Sequence, residues 1–485
     1  MNLDKMFQQG SYRLLLETLA KHRNLRKVMI PFIEKKMYPS VINSDTTGPR
    51  QVQEDKYAAA VAMLHSTVRS VDRGIVSKHV LDRMFDVYLD NLMMADRGKL
   101  SETWGYDPPS FLVVSPGKLC NLHCTGCYAC SDSSAAAKLD FDTFDRILTE
   151  KEKLWGSYFT VISGGEPFLW KDNGKDLIDI AAKHSSNFFE VFTNGTLINE
   201  ETAKRLEQIG NLTPAISVEG FEAETDQRRG KGVHRRILKA FENLRNAGVP
   251  FGISVTGTRN NWDIVTSDEF IDYYFNEQGV TYGWLFQYMP IGRKHTLDIM
   301  VTPEQRFEML KRTFHIQRDL KAFIADFWNS GVLSDGCISS GRGGGYMYIN
   351  WNGDVSPCVF VPYSTHNIID VYRNGGDLNT VLDSPMMQKI REWQKSYGYL
   401  QPADKVNNWF CPCPIRDHHG ELLKIIRECG AKGIDPEAEI ALNETEYHEG
   451  LIQYGKDFDR LSRPLWEEKY VPRKANETRK LEPVK

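Results

Sequence analysis

From residue 111 the chain alternates between short apolar, β-branched runs and longer stretches whose apolar residues recur every three or four positions. The short runs are FLVVSP (111–116), YFTVIS (158–163), FFEVFTNG (188–195), TPAISVEG (213–220), PFGISVTGT (250–258) and GWLFQYMP (283–290). Between them lie FDTFDRILTEKEKL (141–154), GKDLIDIAAKH (174–184), NEETAKRLEQI (199–209), HRRILKAFENLRNAG (234–248) and SDEFIDYYFNEQG (267–279). Strand followed by helix, six times over, predicts parallel pairing through right-handed crossovers. Six units are too few to close an eight-stranded barrel. The expected fold is therefore α/β, a partial (β/α)6 TIM-like barrel over 106–328, with its chemistry at the C-terminal strand ends. A last helix is expected after Thr302-Pro303, a cap and N1 pair.

Residues 1–105 read as a helical N-terminal extension. One helix is expected in SYRLLLETLAKHRNLRKVMI (11–30). A second starts after Ser77, an N-cap, and ends near Gly98, with Val80, Leu81, Met84, Phe85, Tyr88 and Leu92 on one face. Leu and Arg are poorly segregated in the first, so the two are expected to pad a neighbouring domain rather than lie on a membrane. Residues 329–430 read as a small cysteine-rich C-terminal domain. In it YMYIN and DVSPCVF form two strands around the turn Asn350-Trp351-Asn352-Gly353. The preceding SGRGGG (340–345) has no βαβ context and reads as a flexible loop. Residues 431–485 are expected to be an acidic helical segment ending in a disordered charged tail, RKANETRKLEPVK.

Composition narrows the function classes. The 485 residues are 41% hydrophobic and 26% charged, enough for two or three domains with a real core. A net charge of −4 gives no global attraction to nucleic acid. The basic run RRGKGVHRR (228–236) reads as a solvated loop. No apolar run reaches the ~18 residues of a transmembrane segment, and MNLDKMFQQG lacks the apolar core of a signal peptide. A cytoplasmic location is therefore expected, where thiols stay reduced. Nine cysteines then point to metal or redox chemistry rather than disulfides.

Four of them fall in KLCNLHCTGCYAC (118–130), right after the first strand. Cys120, Cys124 and Cys127 form C-x3-C-x2-C. Three thiolates on one loop can hold three irons of a cubane and leave the fourth open. Structural zinc instead prefers paired C-x2-C ligands, four in all, and Cys130 would complete such a set. GGEP (164–167) follows the second strand, TNG (193–195) the third, and SVEG (217–220) ends the fourth, so these residues should share one rim.

CNLHCTGCYA in this position resembles the radical S-adenosylmethionine (SAM) superfamily, whose hallmark is C-x3-C-x2-C with an aromatic residue beside the last cysteine, here Tyr128. GGEP is similar to that family's second motif. The resemblance implies a 4Fe–4S cluster on Cys120, Cys124 and Cys127 whose open iron binds SAM. It implies reductive cleavage of SAM to a 5′-deoxyadenosyl radical that abstracts hydrogen from a substrate, with a one-electron reductant of flavodoxin or ferredoxin type as partner. It further implies SAM contacts at Gly164, Gly165, Glu166 and Pro167, the glycines letting the backbone approach the methionine moiety. Ser217 resembles a SAM-contacting serine, and Arg229, in DQRRG, resembles an arginine that pairs with the SAM carboxylate. Here Glu219 replaces the family's usual Asp, and Arg228 is an equally basic neighbour. YMPIGR (288–293) resembles the segment beside the adenine. Thr193 and Asn194 face SAM or substrate, or simply form a turn.

The remaining cysteines are Cys337, Cys358, Cys411, Cys413 and Cys429. Gly353 to Cys358 reads G-x4-C, and HNIIDVYRNGG and SPMMQKIREWQ follow. This resembles the auxiliary-cluster domain called SPASM, or its shorter Twitch relative. Five cysteines suit one auxiliary iron–sulfur cluster, expected on Cys337, Cys358, Cys411 and Cys413 with Cys429 in reserve; a structural zinc site is the alternative. The expected function is a radical SAM enzyme acting on a peptide or protein. The alternatives are a small molecule or lipid substrate, or a non-catalytic zinc or iron–sulfur module. No catalytic acid or base is assigned: His123, Cys130, His295 and Asp335 are candidates by position only.

Overall fold

The six apolar runs become six strands, each parallel to the next: β1 Leu112–Val114, β2 Phe159–Ile162, β3 Phe188–Thr193, β4 Leu212–Val218, β5 Gly252–Gly257 and β6 Tyr282–Gln287. The computed structural model describes residues 22–44, 48–87, 101–102 and 107–471. It bears out the α/β partial barrel and extends it at both edges. A short strand β7, Ile324–Asp326, pairs parallel with β6. At the other edge β8, Tyr348–Ile349, pairs parallel with β1, Val113 opposite Tyr348. Antiparallel β9, Asp354–Ser356, and β10, His366–Asn367, complete the order β10-β9-β8-β1-β2-β3-β4-β5-β6-β7. The cysteine-rich region thus continues the barrel sheet, and β7 and β8, on either side of residue 328, lie on opposite edges of it.

Helices cover the outer face. Phe141–Trp155 starts at Asp140, whose carboxylate accepts from the Thr143 N–H (2.8 Å). Leu177–Lys183 carries a reciprocal Asp176/Asp179 cap and Pro303–Arg318 a reciprocal Thr302/Gln305 cap. Glu200–Ile209 and Val233–Ala247 follow the expected ranges, while 267–279 divides into Asp268–Ile271 and a π-helical stretch, Asp272–Glu277. Phe144, Leu148, Trp155, Phe189, Ile216, Leu244 and Ile253 are fully buried between these helices and the sheet. RRGKGVHRR is not a solvated loop: Arg228 and Arg229 end the helix Glu222–Arg229, and Val233 begins the next.

The N-terminal helices Arg23–Ile42, Arg50–Asp72 and Lys78–Asp86 lead into the barrel. Ser77 caps the third, accepting from the Val80 N–H (3.1 Å). Ser70 bonds Thr281 (2.7 Å) and the Phe323 N–H donates to Ser66 (2.9 Å), fixing the second helix on the β6–β7 side. The parts of the expected helices at 11–21 and 88–98, Tyr88 and Leu92 among them, lie outside the described residues, as does the tail 473–485. The acidic segment forms Pro436–Leu442 and the long helix Thr445–Lys469, which buries Leu451, Phe458 and Trp466. Among the described residues no helix is long and apolar enough to cross a membrane.

Candidate SAM and iron–sulfur centre

The C-terminal ends of β1 to β6 open onto a cavity of about 330 Å³ inside the barrel. Cys120, Cys124 and Cys127 line its mouth together with Gly164, Gly165, Ser217, Arg228 and Arg229. Cys130 does not: it sits at φ +47° in a separate surface cleft with His123 and His295. The first three cysteines therefore form one group and the fourth stands apart.

The cysteine loop is held by its neighbours' backbone and by one arginine. The Glu166 N–H donates to Leu119 O (2.8 Å) and the Gly165 N–H to Gly117 O (3.0 Å). A Cβ on Gly165 would stand 2.2 Å from Leu119 O, so the glycine is required where the two loops touch. The resemblance implies that this glycine gives SAM access; in the fold its missing side chain also docks GGEP onto the cysteine loop. Arg293 donates from Nη1 to Cys124 O and from Nη2 to Ser131 O (both 2.7 Å), while its N–H reaches Cys127 O (2.9 Å). Gly292, at φ +68°, lets this segment approach: a Cβ there would meet Tyr128 O at 2.3 Å. YMPIGR is thus the clamp of the cysteine loop, a role its spacing did not reveal.

Glu166 and Pro167 do not line the cavity. The buried Glu166 carboxylate accepts from the Thr193 hydroxyl (2.7 Å), the Asn194 N–H (2.8 Å) and the Phe168 N–H (3.2 Å), tying the second strand end to the third. Thr193 and Asn194 themselves reach the cavity. Glu219, 1% exposed, gathers both arginines on one oxygen: Arg228 Nη1 at 2.6 Å and Arg229 Nε at 2.8 Å. This pair keeps the Arg229 guanidinium strongly basic despite burial and sets its charge beside Cys124 and Cys127.

A second cavity of about 220 Å³ adjoins the first, sharing Trp284, Phe327, Ile338 and Tyr346 with it. Cys337, Cys358 and Cys413 line it. Cys411 does not join them. The turn closed by its N–H to Asn408 O (3.1 Å) places it in the core under Trp466, where its thiol meets the Asp459 carboxylate at 3.2 Å. Of the expected foursome, three therefore share this cavity and Cys411 lies outside it, because C-x-C spacing does not set side-chain direction across a turn. Cys429 caps the helix His419–Glu428, away from this cavity. The SGRGGG loop is pinned, not loose: Arg342 is 4% exposed and donates to Cys337 O (2.5 Å) and Gly343 O (2.9 Å).

Both places suit an anionic metal centre. Burial pushes the Cys120 thiol up to about 11 and Cys358 up to about 12, and a bound metal would supply the charge that draws off those protons. At the first cavity Arg229 provides a compensating cation. At the second, Arg416 is fully buried over the Trp328 ring, its Nε and Nη1 without a hydrogen-bond partner among the described residues, and Trp328 lines the cavity. A negative cluster there would balance that charge.

Of the residues advanced as acid or base, none lines the main cavity. His295 pairs with Glu444 (3.0 Å), and Asp335 pairs with Lys56 (2.7 Å). Sequence reasoning missed Glu190, 4% exposed on β3, which does line it. Its signal was an acidic residue inside the otherwise apolar run FFEVF.

The Radical SAM superfamily model matches residues 114–271, and the SPASM iron–sulfur cluster-binding domain model matches 337–406. The chain is 28% identical over 278 residues to the AdoMet-dependent heme synthase of Methanosarcina barkeri, covering 51% of this chain and 76% of that protein. It is 29% identical over 302 residues to the mycofactocin maturase MftC of Mycolicibacterium smegmatis, covering 60% and 75%. Streptococcus suis SuiB bound to precursor peptide SuiA is similar at a TM-score of 0.48 and 17% identity, over 62% of this chain and 71% of that one. With its motif-bearing strand ends and both family models in order, the chain belongs to the radical SAM superfamily and carries a SPASM iron–sulfur domain; its cofactors are SAM, the SAM-binding 4Fe–4S cluster and an auxiliary iron–sulfur cluster.

Proposed function

We propose that this radical SAM enzyme modifies a side chain of a peptide or protein, with Cys120, Cys124 and Cys127 holding the SAM-binding cluster and Cys337, Cys358 and Cys413 holding the auxiliary one. When bound, the reduced cluster supplies the electron that splits SAM into methionine and the hydrogen-abstracting 5′-deoxyadenosyl radical. The protein's own part is positional. Ser217 and Arg229 line the place where SAM binds, and Glu219 fixes Arg229. The GGEP turn holds the cysteine loop, and the apolar wall keeps water from the reacting centre. A flavodoxin- or ferredoxin-type protein serves as electron donor.

The observation that carries the peptide reading is cavity size. About 330 Å³ is at the small end of ligand pockets. A cavity of that size suits a single side chain better than a tetrapyrrole macrocycle. The similarity to MftC, named a maturase, supports the same direction. The test is anaerobic reconstitution with iron and sulfide, then dithionite and SAM. 5′-Deoxyadenosine should form, and the triple Cys120/Cys124/Cys127→Ala variant should form none. Deuterium passing into 5′-deoxyadenosine from a deuterated peptide fraction of source cells supports the substrate reading. Transfer only from the tetrapyrrole fraction would replace it with a heme-synthase type of reaction.

A further inference from the structure

Below the cysteine mouth, the interior positions of β3 present Glu190 and Phe192 to the cavity. The Glu190 carboxylate accepts from the Trp284 indole N–H at 2.6 Å, with the Tyr282 hydroxyl close by. Tyr282 also meets Thr213 (3.1 Å), whose own hydroxyl donates to Pro250 O (2.9 Å). Both of these neighbours are neutral. Among the described residues no lysine, arginine or histidine ion-pairs with it. Arg228 and Arg229 share the cavity, but at its mouth and tied to Glu219.

The walls around this carboxylate are aromatic: Phe111 against Phe159 (centroids 5.7 Å apart), Phe192 against Phe286 (5.4 Å), Trp284 against Phe286 (6.3 Å). Burying an acid without a counter-ion is costly, and that cost holds the Glu190 carboxyl up at about 7. A ligand that brings a cation removes the cost. Aromatic faces attract the same ligand, since ring quadrupoles favour ammonium and guanidinium groups.

We propose that the floor of the barrel cavity is a recognition site for a cationic nitrogen group of the substrate, with Glu190 as its ion-pair partner and the rings as a sleeve for the apolar stem. This rests on reading the cavity as the substrate site. For a peptide, the group is a basic side chain or an amino terminus. A substrate bearing carboxylates at that end, as tetrapyrroles do, is rejected by like charge.

The test uses the full chain, anaerobically loaded with clusters and SAM, and two probes of one shape and opposite charge: phenethylamine and 3-phenylpropionate. Calorimetry at pH 8 should show the amine binding at least about tenfold more tightly, a difference of about 1.4 kcal/mol. Glu190→Gln should bring the two within about twofold, and Glu190→Asp should keep the preference. Equal binding, preference for the acid, no amine binding at millimolar concentration, or an undiminished preference in Glu190→Gln overturns the proposal. The wild-type comparison alone decides it if the Gln variant loads poorly. Formation of 5′-deoxyadenosine by the same wild-type preparation is scored separately, so loss of amine selectivity is not confused with failure of the enzyme assignment.

Discussion

The Tyr346 hydroxyl lies 2.8 Å from Cys358 Sγ, and the Tyr346 ring stacks on Phe111 (centroids 4.9 Å apart) in the barrel cavity. One side chain therefore lines both the barrel cavity and the cysteine-lined cavity beside it. A hydrogen bond to a ligating sulfur withdraws charge from the cluster and raises its reduction potential. Tyr346→Phe should load the same iron but show a lower auxiliary-cluster midpoint in an EPR-monitored redox titration. An unchanged midpoint would mean that Cys358 is not a ligand or that the bond is absent in the loaded protein.

Gly165 makes a different demand. Its missing Cβ is filled by backbone, with Lys118 O at 2.4 Å and Leu119 O at 2.2 Å from where the methyl would sit, and a carbonyl cannot rotate away as a side chain can. Gly165→Ala must push the cysteine loop outward, at a cost of about 1–3 kcal/mol. The expected signature is a lower melting temperature together with reduced iron at the SAM-binding site, while auxiliary-cluster iron remains. Iron analysis of Gly165→Ala in a background lacking the auxiliary cysteines isolates the effect.

How far the sequence carried depends on what was local. The alternating runs placed β1 to β6 within three residues at either end, because each buried strand must show its own apolar pattern. Ser77 and Thr302 were readable as caps for the same reason. β7, only Ile324–Asp326, is too short for a period to show. β8 joins β1 across more than 230 residues of chain, and no local pattern encodes that register. Glu190 was missed because a polar residue in a strand ordinarily faces water. In a barrel with an interior cavity it faces that cavity instead. The cysteine trio and GGEP were legible from chemistry, yet the reason for Gly165 needed the neighbouring carbonyls.

The Glu219 pair predicts a coupled loss. One buried oxygen holds Arg228 and Arg229, whose side chains are only 16% and 12% exposed. Glu219→Gln keeps the shape but removes the charge, leaving two guanidiniums without compensation at a cost of about 3 kcal/mol. Arg229 then loses its fixed position beside Cys124, and SAM affinity should fall by about tenfold in equilibrium binding to the loaded protein. Glu219→Asp, the family's usual residue, is shorter; it should retain one arginine contact and lie between wild type and Gln in both measurements.

Acid sensitivity should trace in part to His419. It is 2% exposed, bonds Ile415 O (2.8 Å) and the His448 ring (2.8 Å), and burial holds it down at about 4 against an ordinary value near 6.5. The unfolded chain takes up this proton as pH falls through about 6.5, whereas the folded chain resists until about 4. Stability is therefore full above about pH 6.5, declines between 6.5 and 4, and levels off below, for a total on the order of 3 kcal/mol. His419→Gln removes the titrating group while keeping polar atoms for the same partners. Its melting temperature should fall less than that of wild type between pH 7 and pH 5, although it starts lower at pH 7. Parallel declines in the two proteins would place the acid-labile group elsewhere.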